Sequence, residues 1–154
     1  MTPSGASSVP QADVQAFTFF IDRSLGSGIV AKALRDAREL VVIHDAVFEA
    51  DTADVTWLAE AGKRGWVVLT KDARIRTNQL ERQALLSGGV AAFMLGRGDL
   101  RGPDMAAAFV KALPRMKTAL RRWARPLIAV VCTDGGVTVQ YADGQKLPKA
   151  RVVK

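Results

Sequence analysis

Two aspartates follow apolar runs that have the length and composition of buried strands. Asp22 ends the run over residues 17–22, and Asp72 comes two residues after the run over residues 66–70. Ligands of open α/β sheets bind at the carboxyl ends of the strands, so both side chains are placed where chemistry is usually done. Asp54 lies at the start of a predicted helix and can bring a third carboxylate to the same edge. We therefore treat Asp22, Asp54 and Asp72 as one predicted catalytic and metal-binding group.

Three carboxylates in one pocket repel each other unless a cation lies between them. Ligand sets made only of oxygen suit the hard cations Mg²⁺ or Mn²⁺. Such an ion polarises a phosphoryl oxygen and lowers the pKa of an attacking water, which is the chemistry of phosphodiester hydrolysis. The sequence therefore predicts a Mg²⁺ or Mn²⁺ site, provided that the two strands are neighbours in the sheet.

The distribution of charge along the chain points to a polyanionic ligand. Residues 1–60 carry nine acidic and four basic side chains, whereas residues 61–154 carry six acidic and eighteen basic ones. A basic half beside an acidic half is suited to holding nucleic acid against a metal site. A basic surface that only favours solubility is the alternative, and the charge distribution alone leaves both open.

Polar side chains near these aspartates are candidates for binding the substrate. Arginine suits a scissile phosphate, and a histidine can act as a base or bind phosphate. The predicted substrate-binding residues are Thr70, Lys71, Arg74, Arg76, Asn78 and His44. The alternative for the basic segment is a solvated loop, and the alternative for His44 is a hydrogen bond to nearby backbone.

The elements that would position these residues alternate as β-α-β-α-β-α-β. This order predicts an α/β fold with a mainly parallel central sheet and right-handed crossovers. Strands are predicted over residues 17–22, 40–43, 66–70 and 90–95, and helices over residues 29–37, 54–63 and 79–87. Ile29, Val55 and Leu80 are each predicted to face the core as part of an apolar helix stripe.

The second half of the chain predicts one long helix and a β-hairpin. An amphipathic pattern begins at residue 103, and Pro114 predicts a kink or two abutting helices near Leu113. The outer face of this helix is basic, and it is either solvated or in contact with nucleic acid. The Asp-Gly-Gly segment over residues 134–136 predicts a hairpin that joins strands over 127–132 and 137–141. Residues 1–16 are predicted to be a disordered leader and residues 142–154 a mobile basic tail, which leaves residues 17–141 as the folded domain.

The composition excludes several classes of protein. The single cysteine, Cys132, excludes an internal disulfide framework and a cysteine-based zinc site. No run of about 18 apolar residues is present, so we expect no membrane span. The first residues lack the basic start and apolar core of a signal peptide. We therefore expect a cytoplasmic protein.

Four segments carry a resemblance to a known family. They are Phe19-Phe20-Ile21-Asp22-Arg23-Ser24-Leu25-Gly26, His44-Asp45-x-x-Phe48, Asp54-x-x-Trp57-Leu58 and Gly65-Trp66-Val67-Val68-Leu69-Thr70-Lys71-Asp72. Together they resemble the PIN-like domain ribonucleases over about residues 17–125. The resemblance is strongest to the compact branch that includes VapC-type toxins of VapBC toxin–antitoxin pairs (the VapC45-like group). It implies a three-layer α/β/α fold, to which the predicted hairpin is added at the C-terminus.

The resemblance also implies a function and a site. The family members are Mg²⁺- or Mn²⁺-dependent endoribonucleases, and the three aspartates named above match their metal-site acids. Thr70 matches the hydroxyl residue that stands two positions before the last acid. The sequence departs from the family where Arg74 and Ile75 occupy positions at which related sequences often have another acid. A fourth acid is then absent, or it is Glu49, Asp51, Glu81 or Asp99.

The resemblance implies two partners, an RNA substrate and a cognate antitoxin protein. It leaves open whether the protein forms a homodimer. Two other functions compete with the toxin ribonuclease. A non-catalytic nucleic-acid-binding module of the same fold is the main alternative. Arg74 favours it, because this arginine stands where related sequences often have another acid. A phosphoacceptor signalling domain also places aspartates at strand ends, but the Asp54-x-x-Trp57-Leu58 segment fits that pattern poorly.

Overall fold

The apolar runs of the sequence form seven strands of one sheet, with helices on both faces. A computed structural model describes residues 16–26 and 28–154, so nearly all of the predicted leader lies outside the described residues. The strands are β1 Thr18–Ile21, β2 Leu40–Ile43, β3 Val67–Thr70, β4 Ala91–Leu95, β5 Leu127–Val131, β6 Val137–Ala142 and β7 Gln145–Val152. The helices are α1 Ile29–Asp36, α2 His44–Val47, α3 Asp54–Arg64, α4 Arg74–Thr77, α5 Gln79–Ser87 and α6 Gly102–Arg122, and a 3₁₀ turn covers Arg23–Leu25.

The strand order is β2-β1-β3-β4-β5-β6-β7. The first five strands in this order are parallel, whereas β6 and β7 run antiparallel to their neighbours. Strands β1 and β3 are adjacent, with Ile21 opposite Leu69. The predicted mainly parallel sheet is confirmed, and so is the adjacency on which the predicted metal site depends.

Both faces of the central strands are buried, which explains their almost continuous apolar sequences. Phe19 and Ile21 pack on one face against α1 and α6, where Phe109 is fully buried. Phe20 packs on the opposite face with Trp57 of α3 and with a buried residue of α5. Successive side chains of a strand point to opposite faces, so the two helical layers enclose the sheet. The three-layer α/β/α architecture is confirmed.

The prediction that Ile29, Val55 and Leu80 face the core is wrong. Their exposed fractions are 54%, 40% and 71%. Each is the first or second residue of its helix. Helical side chains lean towards the N-terminus of their helix, so side chains in the first turn project past the sheet instead of lying over it. The apolar faces of these helices are formed by residues further along, such as Leu34 and Leu58.

Helix α6 continues through Pro114 as one helix of 21 residues, so of the two predicted alternatives, a kink or two abutting helices, the second is wrong. A proline inside a helix removes one backbone hydrogen bond. Phe109, Ala112 and Met116 are fully buried on either side of it, and this packing offsets the loss. Across the described ranges, α6 included, there is no helix with the length and apolar character needed to cross a membrane.

The prediction of a mobile tail over residues 142–154 is also wrong. Asp143 and Gly144 both have positive φ, 54° and 76°, and they turn the chain from β6 into β7. Positive φ at two central residues is typical of the tight turns that join hairpin strands, and Asp-Gly suits it. Strand β7 is the edge of the sheet and is mostly exposed, while Val153 is buried. Its charged side chains are of the kind that protects an edge strand from pairing with another chain.

Candidate metal centre

Three predicted acids line one cleft at the carboxyl edge of the parallel sheet. Asp22 follows β1, Asp72 follows β3 by two residues, and Asp54 is the first residue of α3. The cleft has a volume of about 340 Å³. Its lining residues are Asp22, Arg23, Ser24, His44, Ala50, Thr52, Asp54, Trp57, Asp72 and Arg74. We call it the acidic cleft.

Asp22 is buried and held by two hydroxyl groups. Its exposed fraction is 6%, and its Oδ2 accepts hydrogen bonds from Thr70 Oγ1 at 2.7 Å and from Ser24 Oγ at 2.8 Å. Burial raises the pKa of Asp22, and the nearby charge of Asp54 adds to the rise, although the two hydroxyl groups oppose it. Ser24 is a positioning residue that the sequence-based site did not include; its place two residues after Asp22 was the available signal.

Thr70 lies beneath the acidic cleft and links the two strand ends. It is fully buried, and its Oγ1 accepts a hydrogen bond from the backbone N–H of Asp72 at 3.0 Å while donating to Asp22. The backbone N–H of Lys71 donates to Ser24 Oγ at 3.1 Å. These contacts make Thr70 a positioning residue for two carboxylates instead of a residue exposed to substrate.

Asp54, Asp72 and Glu81 form a tighter group, which we call the acid cluster. One carboxylate oxygen from each lies within 4.8 Å of the others. The position of Asp54 is fixed by Trp57, whose Nε1 donates a hydrogen bond to Asp54 Oδ1 at 2.9 Å. The tryptophan of the Asp54-x-x-Trp57 motif therefore supports the site as well as the core.

Glu81 is the fourth acid among the candidates from sequence. Glu49 and Asp51 are exposed, and Asp99 is exposed and pairs with Arg97. Glu81 instead has an exposed fraction of 7%, and its Oε1 has no hydrogen-bond partner in the described part of the chain. Burial, followed by the charges of Asp54 and Asp72, raises the pKa of Glu81 to about 7.

The packing of two helices brings Asp54 and Glu81 together. Both residues lie in first turns, Asp54 in α3 and Glu81 in α5, and these helices pack against each other. A Cβ atom at Gly62 of α3 would overlap the backbone carbonyl of Gly88, directly after α5. Glycine at position 62 therefore permits the close approach that places Glu81 beside Asp54.

Arg74 supplies the positive charge that the acid cluster has in this structure. Its Nη2 lies 2.6 Å from Asp72 Oδ2 and 3.8 Å from Asp54 Oδ2, and its Nε also donates to Asp72. These bonds lower the pKa of Asp72, so Asp72 stays ionised. The Arg74 side chain is 64% exposed, which lets the guanidinium leave the cluster at little steric cost.

The residues of the acid cluster fit a Mg²⁺ or Mn²⁺ ion. Every donor is a carboxylate oxygen, the set that these hard cations prefer. Glu81 Oε1 is buried beside two other carboxylates without a hydrogen-bond partner in residues 16–26 and 28–154. A buried polar oxygen in this position is costly unless a ligand completes it, and a divalent cation would do so.

Two further predicted substrate-binding residues lie close to the acidic cleft. His44 lines it but is 1% exposed, with Nδ1 2.8 Å from Asp45 Oδ1 and its ring near Phe20 and Trp57. These contacts fix the ring as part of the wall. Lys71 directly follows β3 but is not among the lining residues of the cleft, and its Nζ is 3.5 Å from the carbonyl oxygen of Gly98.

The last two predicted substrate-binding residues do not line the acidic cleft. Asn78 caps α5, because its Oδ1 accepts hydrogen bonds from the backbone N–H groups of Leu80 and Glu81. Arg76 points to the other side of α4, where its Nη1 donates to Gln140 Oε1 at 3.1 Å. The structure thus places these two side chains in roles that the linear sequence does not reveal.

Comparison with known proteins places this arrangement in a family. A family described as "PIN like domain" matches residues 17–97, which include all four acids. The chain is 34% identical over 106 residues to a Mycobacterium tuberculosis protein described as "Putative ribonuclease VapC45", and the match covers 66% of this chain and 77% of that protein. No solved structure matches the chain at a comparable level of significance.

Proposed function

The chain belongs to the PIN-like domain family, and on this basis we propose that it is a metal-dependent endoribonuclease that hydrolyses phosphodiester bonds in RNA. The observation that carries the proposal is the acid cluster, in which Asp54, Asp72 and the buried Glu81 converge beside Asp22. The similarity to a protein described as a ribonuclease supports RNA as the substrate. The basic second half of the chain supports a polyanionic ligand as well.

In this proposal the acid cluster holds Mg²⁺ or Mn²⁺, and Asp22 stands at its edge. The bound ion supplies a Lewis acid for the phosphoryl oxygen and lowers the pKa of a water. Both hydroxyl groups on Asp22 donate to Oδ2, which leaves Oδ1 as the oxygen available to accept a proton from water.

Arg74 has two roles in the proposed mechanism. Without metal, its guanidinium neutralises Asp72 and approaches Asp54. With an ion held by the acid cluster, the guanidinium would be free at the rim of the acidic cleft to bind a non-bridging phosphate oxygen, for which its planar donors are suited.

The proposal extends to the biological role as the toxin of a type II toxin–antitoxin pair in the cytoplasm. Its support is the similarity to a VapC-named protein together with the contact of Arg74 with the acid cluster. That contact shows that a guanidinium fits among these carboxylates, so a basic side chain of an antitoxin could silence the site in the same manner. A homodimer is a further part of the proposal.

One observation favours the second candidate, a non-catalytic RNA-binding module. The same Arg74 neutralises the acids from within the chain, as expected of a site that does not hold metal. The two candidates differ in one property, which is cleavage of RNA that depends on a divalent ion.

The test is incubation of total RNA with purified protein and Mn²⁺, with and without chelator. We expect cleavage that the chelator and Asp72→Asn both abolish. Asp99→Asn is the matched control, because Asp99 is exposed and pairs with an arginine two residues away, as Asp72 does, but lies outside the acid cluster. Cleavage that persists in Asp72→Asn refutes the mechanism, and RNA binding without cleavage by the wild-type protein supports the module.

The toxin role has its own test, which is induced expression in a bacterial host. We expect growth arrest with the wild-type chain, normal growth with Asp72→Asn, and relief of arrest by the product of a small neighbouring reading frame. Free growth at a high level of wild-type protein contradicts the toxin role even where the purified protein cleaves RNA.

A further inference from the structure

A second cavity, larger than the acidic cleft, lies between the α4–α5 segment and strands β6 and β7. Its volume is about 580 Å³. Its lining residues are Arg76, Thr77, Arg82, Gln140, Tyr141, Lys146, Leu147, Pro148 and Ala150. Within the described part of the chain, this lining contains three basic side chains and no acidic one, so it attracts anions. We call this cavity the basic groove.

Hydrogen bonds to the protein hold two of the cations in place. Arg76 Nη1 donates to Gln140 Oε1 at 3.1 Å, and Arg82 Nη1 donates to the carbonyl oxygen of Arg76 at 3.0 Å. Each guanidinium has five N–H donors, so these bonds orient the groups and leave donors for a ligand. Both arginines are half-buried, whereas Lys146 is exposed on the edge strand. Two oriented guanidinium groups and an exposed ammonium group suit successive phosphates of a flexible chain.

The remaining polar lining suits a nucleobase. Tyr141, the only tyrosine of the chain, is half-buried in the wall beside Gln140 and Thr77. Aromatic rings stack with unpaired bases of single strands in a way that tolerates any base. An amide and a hydroxyl group can bind the edge of the same base. A base in a duplex is stacked and paired, and it is not available for these contacts.

The basic groove and the acid cluster share one short stretch of chain. Arg82 follows Glu81 directly in the first turn of α5, and Arg76 lies four residues after Asp72. One side of this stretch faces the carboxylates and the other faces the groove. The opposite wall comes from β6 and β7, outside the residues 17–97 that the family match covers. The groove is therefore a feature of the C-terminal strands of this chain.

We propose that the basic groove binds single-stranded RNA, with phosphates on Arg76, Arg82 and Lys146 and one unpaired base on Tyr141. The proposal rests on the proposed ribonuclease function for the identity of the ligand. The groove adjoins the acid cluster through the α4–α5 segment, so RNA bound there would be held on one side of the cleavage point. An acidic segment of a protein partner is the competing occupant, and the basic lining alone would attract it too. The aromatic ring, amide and hydroxyl favour RNA.

The experiment measures binding without cleavage. Labelled oligouridine is titrated with the full chain in the presence of chelator, by fluorescence anisotropy at several salt concentrations. Arg76→Gln/Arg82→Gln is expected to weaken binding about tenfold and to lower the slope of log affinity against log salt by about 0.7 for each phosphate that the variant no longer neutralises. Tyr141→Leu is expected to weaken binding of the single strand about fivefold or more, without changing the salt slope.

Two comparisons make the result specific. Arg115→Gln/Arg121→Gln removes the same charge from exposed positions of α6, and we expect it to leave the affinity nearly unchanged. Lys146→Gln replaces an exposed side chain of the edge strand, and we expect it to weaken RNA binding while leaving the fold intact. An RNA duplex of the same length is expected to bind more weakly than the single strand, and Tyr141→Leu is expected to remove that preference.

Each outcome decides between the proposals. Equal loss in the α6 variant and the groove variants, or unchanged binding in the groove variants, overturns the groove. Groove variants that bind RNA normally but lose an acidic partner peptide show a protein-docking site and also overturn it. A wild-type chain that binds RNA through the groove but never cleaves it supports the groove and refutes the ribonuclease function.

Discussion

Replacement of Glu81 by glutamine tests whether the buried carboxylate of this residue destabilises the fold when no cation is bound to the acid cluster. The folded protein raises the pKa of Glu81 from 4.5 to about 7. The folded state therefore binds more protons than the unfolded state between these pH values, and the free energy of unfolding falls as the pH rises through this window. At about 1.36 kcal/mol per pKa unit, the cost to the free energy of unfolding well above pH 7 is at most about 3 to 4 kcal/mol.

The assay is urea unfolding of the chelator-treated protein from about pH 5 to about pH 8, followed by tryptophan fluorescence. Wild-type protein is expected to lose stability with rising pH, whereas Glu81→Gln lacks this part of the pH dependence and is the more stable protein at the upper end. Addition of Mn²⁺ is expected to restore the stability of the wild type and to stabilise the variant less.

The control for this prediction is Glu60→Gln, a half-buried residue of α3 outside the acid cluster. The ion pair with Arg64 lowers the pKa of Glu60, so this carboxyl is ionised in both states across the tested range. Its replacement leaves the pH slope unchanged. Equal pH slopes for wild type and Glu81→Gln would refute the reasoning, because they would show that the carboxyl of Glu81 ionises in the folded protein without cost.

Three other substitutions test the supports of the site. Arg74→Gln is expected to raise the affinity for Mn²⁺ several-fold in calorimetric titration, because the guanidinium no longer competes for the oxygens of Asp72. Thr70→Val is expected to lower the free energy of unfolding by about 1–3 kcal/mol, because the part-buried N–H of Asp72 and the buried carboxylate of Asp22 each lose a hydrogen-bond partner. Gly62→Ala is expected to cost about 1–3 kcal/mol in chemical unfolding and to weaken Mn²⁺ binding, because the added methyl group overlaps the carbonyl of Gly88.

Matched controls exist for these three. Arg97→Gln breaks an exposed pair with the same two-residue spacing and leaves Mn²⁺ affinity unchanged. Thr118→Val removes a hydroxyl that bonds only a helix carbonyl, and Gly98→Ala adds a methyl group where nothing lies within 4 Å. If the controls change Mn²⁺ affinity or the free energy of unfolding as much as the site variants do, the measured effects are not specific to the acid cluster.

The parallel sheet could be predicted from sequence because its strands are buried on both faces. Continuous apolar runs such as those before Asp22 and Asp72 have few other interpretations when helical segments separate them. The convergence of the two aspartates followed, since parallel strands end at the same edge. The family resemblance stated from the same segments is confirmed.

The sequence left four candidates for the fourth acid of the site, and Glu81 was one of them. Its place in the acid cluster depends on the contact between α3 and α5 at Gly62, which joins residues far apart in the chain. The cap at Asn78 was a local signal, because an asparagine three residues before a glutamate often starts a helix and puts the glutamate in its first turn. Without the packing of α3, that signal does not show which way the carboxylate points.

Strand β7 was missed for a different reason. An edge strand that is exposed along most of its length has no apolar pattern to distinguish it from a tail. The Asp143-Gly144 turn was the only local sign of it. The basic groove was missed with it, because Arg76 and Tyr141 become neighbours only once β6 and β7 complete the sheet.

The most direct test of the proposed metal site is anomalous scattering from crystals grown with Mn²⁺. We expect a manganese peak within about 2.2 Å of carboxylate oxygens from Asp54, Asp72 and Glu81, with the Arg74 guanidinium displaced from Asp72. The contradicting result is a structure at saturating Mn²⁺ in which Arg74 still pairs with Asp72 and no manganese peak lies in the acid cluster. It would show that these carboxylates do not bind the ion.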